Sequence, residues 1–440
     1  MHQRARLGWW LLWAMVVASV AVASTSGPAL ARDDEREQRS SIRIADDSEF
    51  DADHGVRSGS GTKSDPYVIS DWDVGSINIS DTSRHVVIRD NIVRSRLTLN
   101  WNGPGVTVVG NKVGDLRVNQ NVKRTGGPTS GVIARNEFGF VGQIRHFDGE
   151  FKHNTVDPRN RNGLFNLGDL PFFTNGPAVN FDGFNGAHFH HNTIYGPLRA
   201  QLHGHHHGSG YGEPSHHHGG SGKHGSHGMV DHTQRYHQVF ITDNTIYSEE
   251  YYALMYTDVV HSANDRTAAS EQNEELNKPH VHHTRVYLND NKLVGAGLVI
   301  DVFNADDRRH VGTATGLVEI RGNKITVQDS DEPFAYEAAG IDVERARDLK
   351  LRIAGNRVVG VDDESPTSGL DQWDYDAGIR LRDIRAARVY LLDNVVANRD
   401  VGIEASRFER VRWWIGNLVT RDVDEDVSYD GSSNPPEEGP

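Results

Sequence analysis

One short pattern recurs along this chain and limits its fold more than any other feature: apolar, any, apolar, any, any, Asn, any, apolar. The asparagines are Asn91, Asn111, Asn136, Asn154, Asn192, Asn244, Asn291, Asn323, Asn356, Asn394 and Asn417. Three residues before them stand Ile88, Val108, Ile133, Phe151, Phe189, Ile241, Leu288, Ile320, Ile353, Leu391 and Trp414. Two after them stand Val93, Val113, Phe138, Val156, Ile194, Ile246, Leu293, Ile325, Val358, Val396 and Val419, in a chain that is only 36% hydrophobic. Apolar residues at every second position have the period of a β-strand. Each unit therefore predicts a strand, a bend at the asparagine and a second strand.

Successive asparagines lie as few as 18 residues apart, with longer gaps where turns are extended. A helical crossover between parallel strands does not fit in so short a unit, which excludes ordinary βαβ units. Asparagine tolerates left-handed backbone and can bond to its counterpart one repeat away, so a stacked asparagine at each bend is expected. A further strand precedes the unit: Gly340-Ile341-Asp342-Val343-Glu344, Gly378-Ile379-Arg380-Leu381-Arg382 and Gly402-Ile403-Glu404-Ala405-Ser406 align without adjustment. The expectation is an all-β solenoid of about a dozen coils with long turn insertions, each coil a strand, a turn, a strand, an asparagine bend, a strand and a turn.

This arrangement resembles the right-handed parallel β-helix of the pectate-lyase-like superfold. The opening Gly61-Thr62-Lys63-Ser64-Asp65-Pro66-Tyr67-Val68-Ile69 resembles the start of carbohydrate-binding and sugar-hydrolase (CASH) β-helix repeats. The resemblance covers residues 61–420. It implies a fold more than an activity, because lyases, hydrolases, epimerases and non-enzymes share it. The paired aspartates and the Gly-His-Gly motif of polygalacturonases have no counterpart in matching positions; His203-Gly204-His205 falls in a His-rich stretch.

In the carbohydrate-active members the polysaccharide lies along the sheet of first strands, where alternate side chains point outward. Alternation gives one outward column of Asn78, Thr98, Arg117, Gln143, Asn180, Gln201, Met255, Asp301, Asp342, Arg380 and Glu404. The neighbouring column is Ser80, Asn100, Asn119, Arg145, Asp182, His203, Thr257, Phe303, Glu344, Arg382 and Ser406. Arg145, Asp182 and His203 on consecutive coils are the candidate catalytic set. A cation, a carboxylate and an imidazole could abstract a proton beside a uronate carboxylate and neutralise the developing charge. Gln143, Asn180 and Gln201 beside them, and Asp301, Asp342, Glu344, Arg380 and Arg382 further on, are the candidate substrate-binding residues. The second patch could hold Ca²⁺ through carboxylate oxygens, or its carboxylates could pair with its arginines. Exposed aromatics that would stack on sugar rings are few on this sheet, Phe303 being the best placed.

Of 24 histidines, eleven fall between His203 and His237, in a Gly- and Ser-rich turn insertion. His205, His206, His207, His216, His217, His218, His224, His227 and His232 are candidate ligands for Zn²⁺ or Cu²⁺, to which imidazole binds well. The other reading is a compositional tract without a role. A smaller constellation stands just before the bends, where His153, His191, Asp243 and Asp290 follow one another on consecutive coils; such a His-His-Asp-Asp column could bind metal, although Asp and Gly are ordinary residues there.

The first residues point to export. Arg4 and Arg6 precede an apolar run from Leu7 to Ala23, and Ala29-Leu30-Ala31 suits cleavage, so residues 1–31 read as a signal peptide and the chain as periplasmic or secreted. Residues 32–60 read as a polar linker and 421–440 as an acidic tail. There is no cysteine, so disulfides and thiolate sites are excluded. A net charge of −15 disfavours nucleic acid as a partner, and no second apolar run supports stable membrane insertion. Two functions remain open: a polysaccharide-binding protein, acting as a lyase or epimerase if an enzyme, and a non-catalytic metal-binding protein using the His-rich loop.

Overall fold

The computed structural model describes residues 36–101, 105–120, 131–147, 149–159, 177–183, 186–203, 237–248, 252–259, 284–301, 316–328, 339–346, 349–361, 377–430 and 435–437. Residues 38–440 form one compact unit. Among the described residues the only helical element is a single 3₁₀ turn, Asp47–Glu49, and everything else regular is strand.

The strands form two sheets, of 12 and 19 strands. The 12-stranded sheet takes one strand from each coil, the strand before the bend, and each pairs in parallel with the next: Ala187–His190, for example, lies between Glu150–Lys152 and His237–Thr242. The 19-stranded sheet takes the strand after the bend and the first strand of the following coil. These are separate in the middle coils, as in Lys292–Gly295 and Leu298–Asp301, and fuse into one long strand toward the ends, as in Ile92–Trp101 and Val395–Ser406. The result is a solenoid-like, all-β arrangement of long parallel sheets around one continuous core.

The asparagine pattern builds that core. From Ile88 to Leu391, every apolar residue three before the bend is buried, as is every one two after it from Val93 to Val396. Between them the asparagines form a buried ladder. Each backbone N–H and Nδ2 from Asn91 to Asn356 donates to the Oδ1 of the next asparagine; Asn154, for instance, reaches Asn192 at 2.9 and 3.2 Å. The same Nδ2 also reaches a carbonyl of the preceding coil, such as Ile133 O at 2.9 Å. A buried amide is tolerated because its donors and acceptor are matched.

The bend itself differs from the expectation. The left-handed residue is the one before the asparagine: Asp90 (φ 56°), His153 (54°), His191 (56°), Asp243 (56°), Asp290 (56°) and Asp393 (54°). This is why Asp and Gly recur there; short polar side chains and glycine enter that region most readily. The last unit is also out of step. Gly416 pairs with Leu392, so Asn417 falls at the bend position of Asp393 and Leu418 takes the ladder position. Accordingly Ile415, not Trp414, stands level with Leu391, and Val419 is 42% exposed. The ladder ends at Asn394.

Both flanks contain strand where solvated chain was expected. In the stretch 32–60, Glu37–Ile44 pairs with Trp72–Thr82 and buries Ile42 and Ile44, with Phe50 and Val56 behind. Trp72 occupies the ladder position of the first coil. Its backbone N–H donates to Asn91 Oδ1 at 3.1 Å, its indole N–H to Gly55 O at 2.9 Å, and the Arg57 guanidinium lies 3.7 Å from its ring. In the stretch 421–440, Val419–Tyr429 adds a final strand on Val395–Ser406.

Candidate functional site

The first strands turn alternate side chains outward, as expected, but two coils are displaced by two residues relative to the expected columns. Asn180 pairs with Arg199 and Asp182 with Gln201, while His203 lies level with Val259. Thr257 pairs with Asp301, and Asp301 with Glu344. The observed columns therefore run Asn180, Arg199, Met255, Val299, Asp342, Arg380, Glu404 and, beside it, Asp182, Gln201, Thr257, Asp301, Glu344, Arg382, Ser406. A two-residue shift keeps every side chain on its face and changes only its neighbours, so alternation alone does not detect it.

This takes His203 out of line with Asp182, while Asp182 stays beside the Arg145 stretch of the coil before. Arg145 is exposed on Glu137–Phe147, and Asp182 lies opposite the irregular step between Ile144 and Phe147. Gln143 pairs with Arg117 on the coil before. His203 is not stacked on Asp182; Gln201 holds that level. The side chains of Asp182, Gln201 and His203, all of Phe303, and the histidines from His205 to His232 lie outside the described residues.

The second set does come together. Asp342, on Ile341–Glu344, is 2% exposed, and Arg380, on Ala377–Arg382, is 1% exposed. Arg380 Nε donates to Glu404 Oε2 at 2.7 Å, and its Nη1 lies 4.0 Å from Asp342 Oδ2. Arg382 Nη2 donates to Asp342 Oδ2 at 3.0 Å and also to Glu344. Arg345 Nε donates to Asp301 Oδ1 at 3.0 Å. Carboxylates and arginines of this patch pair with one another across successive coils. Asp342 Oδ1, however, is buried without a hydrogen-bond partner among the described residues. Burial pushes the Asp342 carboxyl up to about 6 against the opposing pull of Arg382 and then Arg380, with Glu344 adding to the rise. An acid that titrates near neutrality can both give and take a proton there. Glu344, Arg382 and Glu404 are each about a quarter to a third exposed and form the accessible rim.

A second assembly lies on the 12-stranded sheet, where the columns considered from sequence did not reach. His188, Phe240 and Tyr287 are level on three consecutive coils, with ring centroids 4.3 and 4.8 Å apart and nearly parallel planes. Tyr390 and Trp414 repeat the stack near the last coils at 4.7 Å. In the first four of these the signal was present in sequence, as an aromatic or His four residues before the asparagine. Adjoining the stack, His190 Nδ1 lies 2.8 Å from His191 Nδ1, and the His153 ring centroid is 5.1 Å from that of His191 and 6.2 Å from that of His190. Glu150, ion-paired with Lys152, borders the group. His153 and His191 thus adjoin as expected.

The chain is thus an all-β, solenoid-like protein with long parallel sheets, carrying a buried, arginine-flanked aspartate on one sheet and a histidine cluster on the other. No protein-family model, curated protein or solved structure matches the chain. Among the described residues no helix is long and apolar enough to cross a membrane.

Proposed function

We propose that this is an exported right-handed parallel β-helix protein of the pectate-lyase-like type, and that it binds an extracellular polysaccharide along the sheet bearing Asp342. The handedness rests on the general preference of parallel strand crossovers, and export on the basic and apolar start of the chain. The observation that carries the functional reading is Asp342: a buried carboxyl that titrates near neutrality, beneath a rim of Glu344, Arg382 and Glu404 on successive coils. Carboxylates held rigidly by arginines are good acceptors for sugar hydroxyls, and successive coils about 4.8 Å apart offer a repeating surface to a repeating chain. Four carboxylates, Asp301, Asp342, Glu344 and Glu404, face three arginines, Arg345, Arg380 and Arg382. That balance favours neutral or sparsely charged glycans over dense polyuronates. If cleavage or epimerisation follows binding, Asp342 is the proton-transferring group.

The test is affinity electrophoresis against neutral and uronate polysaccharides, with a parallel assay for new reducing or unsaturated ends. Retardation by a neutral glycan that is weakened at least tenfold in Glu344→Gln and Glu404→Gln supports the reading. Retardation by no polysaccharide, or unchanged retardation in both variants, contradicts it.

A further inference from the structure

We propose that His153, His190 and His191 form a transition-metal site that clamps two successive coils together at the edge of the 12-stranded sheet, and that it prefers Cu²⁺ or Ni²⁺ to Zn²⁺. It lies on a different sheet from Asp342 and does not depend on the polysaccharide reading.

The backbone creates the juxtaposition. His190 ends the strand Ala187–His190 with its side chain outward, level with Lys152 of the coil before. His191 follows at the left-handed bend position (φ 56°), which swings its ring back beside that of His190. His153 occupies the same bend position one coil earlier (φ 54°), so stacking brings it over the pair. The two Nδ1 atoms share a hydrogen bond at 2.8 Å, close enough for one ion to replace the shared proton and bind both. An ion about 2.05 Å from both nitrogens would subtend an angle of about 86° at the metal, near the right angle of tetragonal Cu²⁺ or Ni²⁺ and far from the tetrahedral angle of Zn²⁺.

The third ligand is not yet in place. Among the described residues no three ligating side chains already surround one point. His153 has the reach. Imidazoles sharing one ion have ring centroids roughly 4.5–5.5 Å apart, and the His153 ring stands 5.1 and 6.2 Å from its two partners. A side-chain rotation of exposed His153 closes the difference. Asp243, at the next bend along, is within one coil as a further oxygen ligand. His188 is left outside the site: its outward ring stacks on Phe240.

The His-rich stretch binds metal too if its composition is a guide, so the readout must separate the two. Histidines adjacent in sequence, such as His205 to His207, are adjacent in the unfolded chain as well, and an ion held by both states gives little stabilisation. An ion bridging His153 to His190 and His191 finds its site only in the folded coils and raises the melting temperature. The experiment is thermal denaturation of the full chain with and without excess Ni²⁺, Cu²⁺ or Zn²⁺. The variants are His190→Gln, His191→Asn, His153→Asn and, as control, His188→Gln. Asparagine is chosen at the bends because Asn417 occupies that conformation (φ 51°), which keeps those variants folded. Ni²⁺ and Cu²⁺ should raise the wild-type midpoint by about 2 °C or more, and Zn²⁺ by less. The shift should be lost in the His190, His191 and His153 variants and kept in His188→Gln. A wild-type midpoint indifferent to Ni²⁺ and Cu²⁺, or an equal shift in His191→Asn and His153→Asn, overturns the proposal; a larger response to Zn²⁺ overturns the preference.

Discussion

The side chain of Asn192 makes four hydrogen bonds, accepting two from Asn154 and donating to Phe151 O and Asn244 Oδ1. Asn192→Ala leaves the buried backbone N–H of Asn154 with no acceptor and its Nδ2 with only Ile133 O, a loss of about 3 kcal/mol at the upper end of the cost of orphaned polar groups. Asn417 has the same sequence signature but lies on the surface, bonded to Asp393. Asn417→Gly should therefore change stability by no more than about 0.5 kcal/mol. Chemical denaturation of both variants checks this, and equal losses would mean the ladder does not end at Asn394. Asp342 gives a prediction of opposite character. Its carboxyl titrates at about 6 in the folded chain against 3.8 when unfolded. Between those values the folded state holds a proton that the unfolded state has released, so stability falls as pH rises through this window. The difference amounts to about 3 kcal/mol once pH exceeds both values. Asp342→Asn abolishes the effect. The stability of wild type minus that of the variant should fall by up to that amount between pH 4 and 7.5; a pH-independent difference would contradict the burial of this acid.

At the level of the strand, side-chain facing and lateral register have separate causes. Hydrophobic alternation specifies facing, which is why residues such as Ile341, Val343, Ile379 and Leu381 are all buried as the pattern requires. Register is set by how many residues each turn consumes, and turns of unequal length carry no periodic signal. Hence alternation places Asp301 level with Asp342, whereas it stands level with Glu344. The acid–arginine patch was legible as a composition, but its internal pairing was not. The histidine cluster was half legible: His153 and His191 share a position in the repeat, whereas His190 joins them only because the left-handed bend folds His191 back beside it. The need of a repeat fold for a cap points to the Asp71-Trp72-Asp73 region, but no asparagine there announces that Trp72 takes the ladder position. Register can be read directly, since the chain has no native cysteine. Thr257→Cys with Asp301→Cys should cross-link under mild oxidation, because paired residues on adjacent parallel strands are about 4.8 Å apart. Met255→Cys with Asp301→Cys, offset by two residues and roughly 8 Å apart, should not. Electrophoretic mobility under non-reducing conditions distinguishes them, and the reverse result would restore the columns expected from alternation.

Across the whole molecule the stack has defined ends. Trp72 replaces asparagine in the first coil and Leu418 in the last, so the polar ladder is closed by a backbone donor at one end and an apolar side chain at the other. The final strand carries Asp422, Asp424, Glu425 and Asp426 against the single cation Arg421, and this excess of negative charge opposes the addition of a second chain. Between these ends the paired columns from Asp301 to Glu404 present a rigid surface whose spacing comes from the backbone and whose chemistry comes from a few carboxylates and arginines. The measurement that tests this most directly is a crystal structure of the full chain with an oligosaccharide of the glycan that retards it. The sugar is expected across the coils at Glu344 and Glu404, with a hydroxyl or glycosidic oxygen approaching Asp342. A sugar bound on the 12-stranded sheet, or coils whose Asp342 and Arg382 are not neighbours, would contradict it.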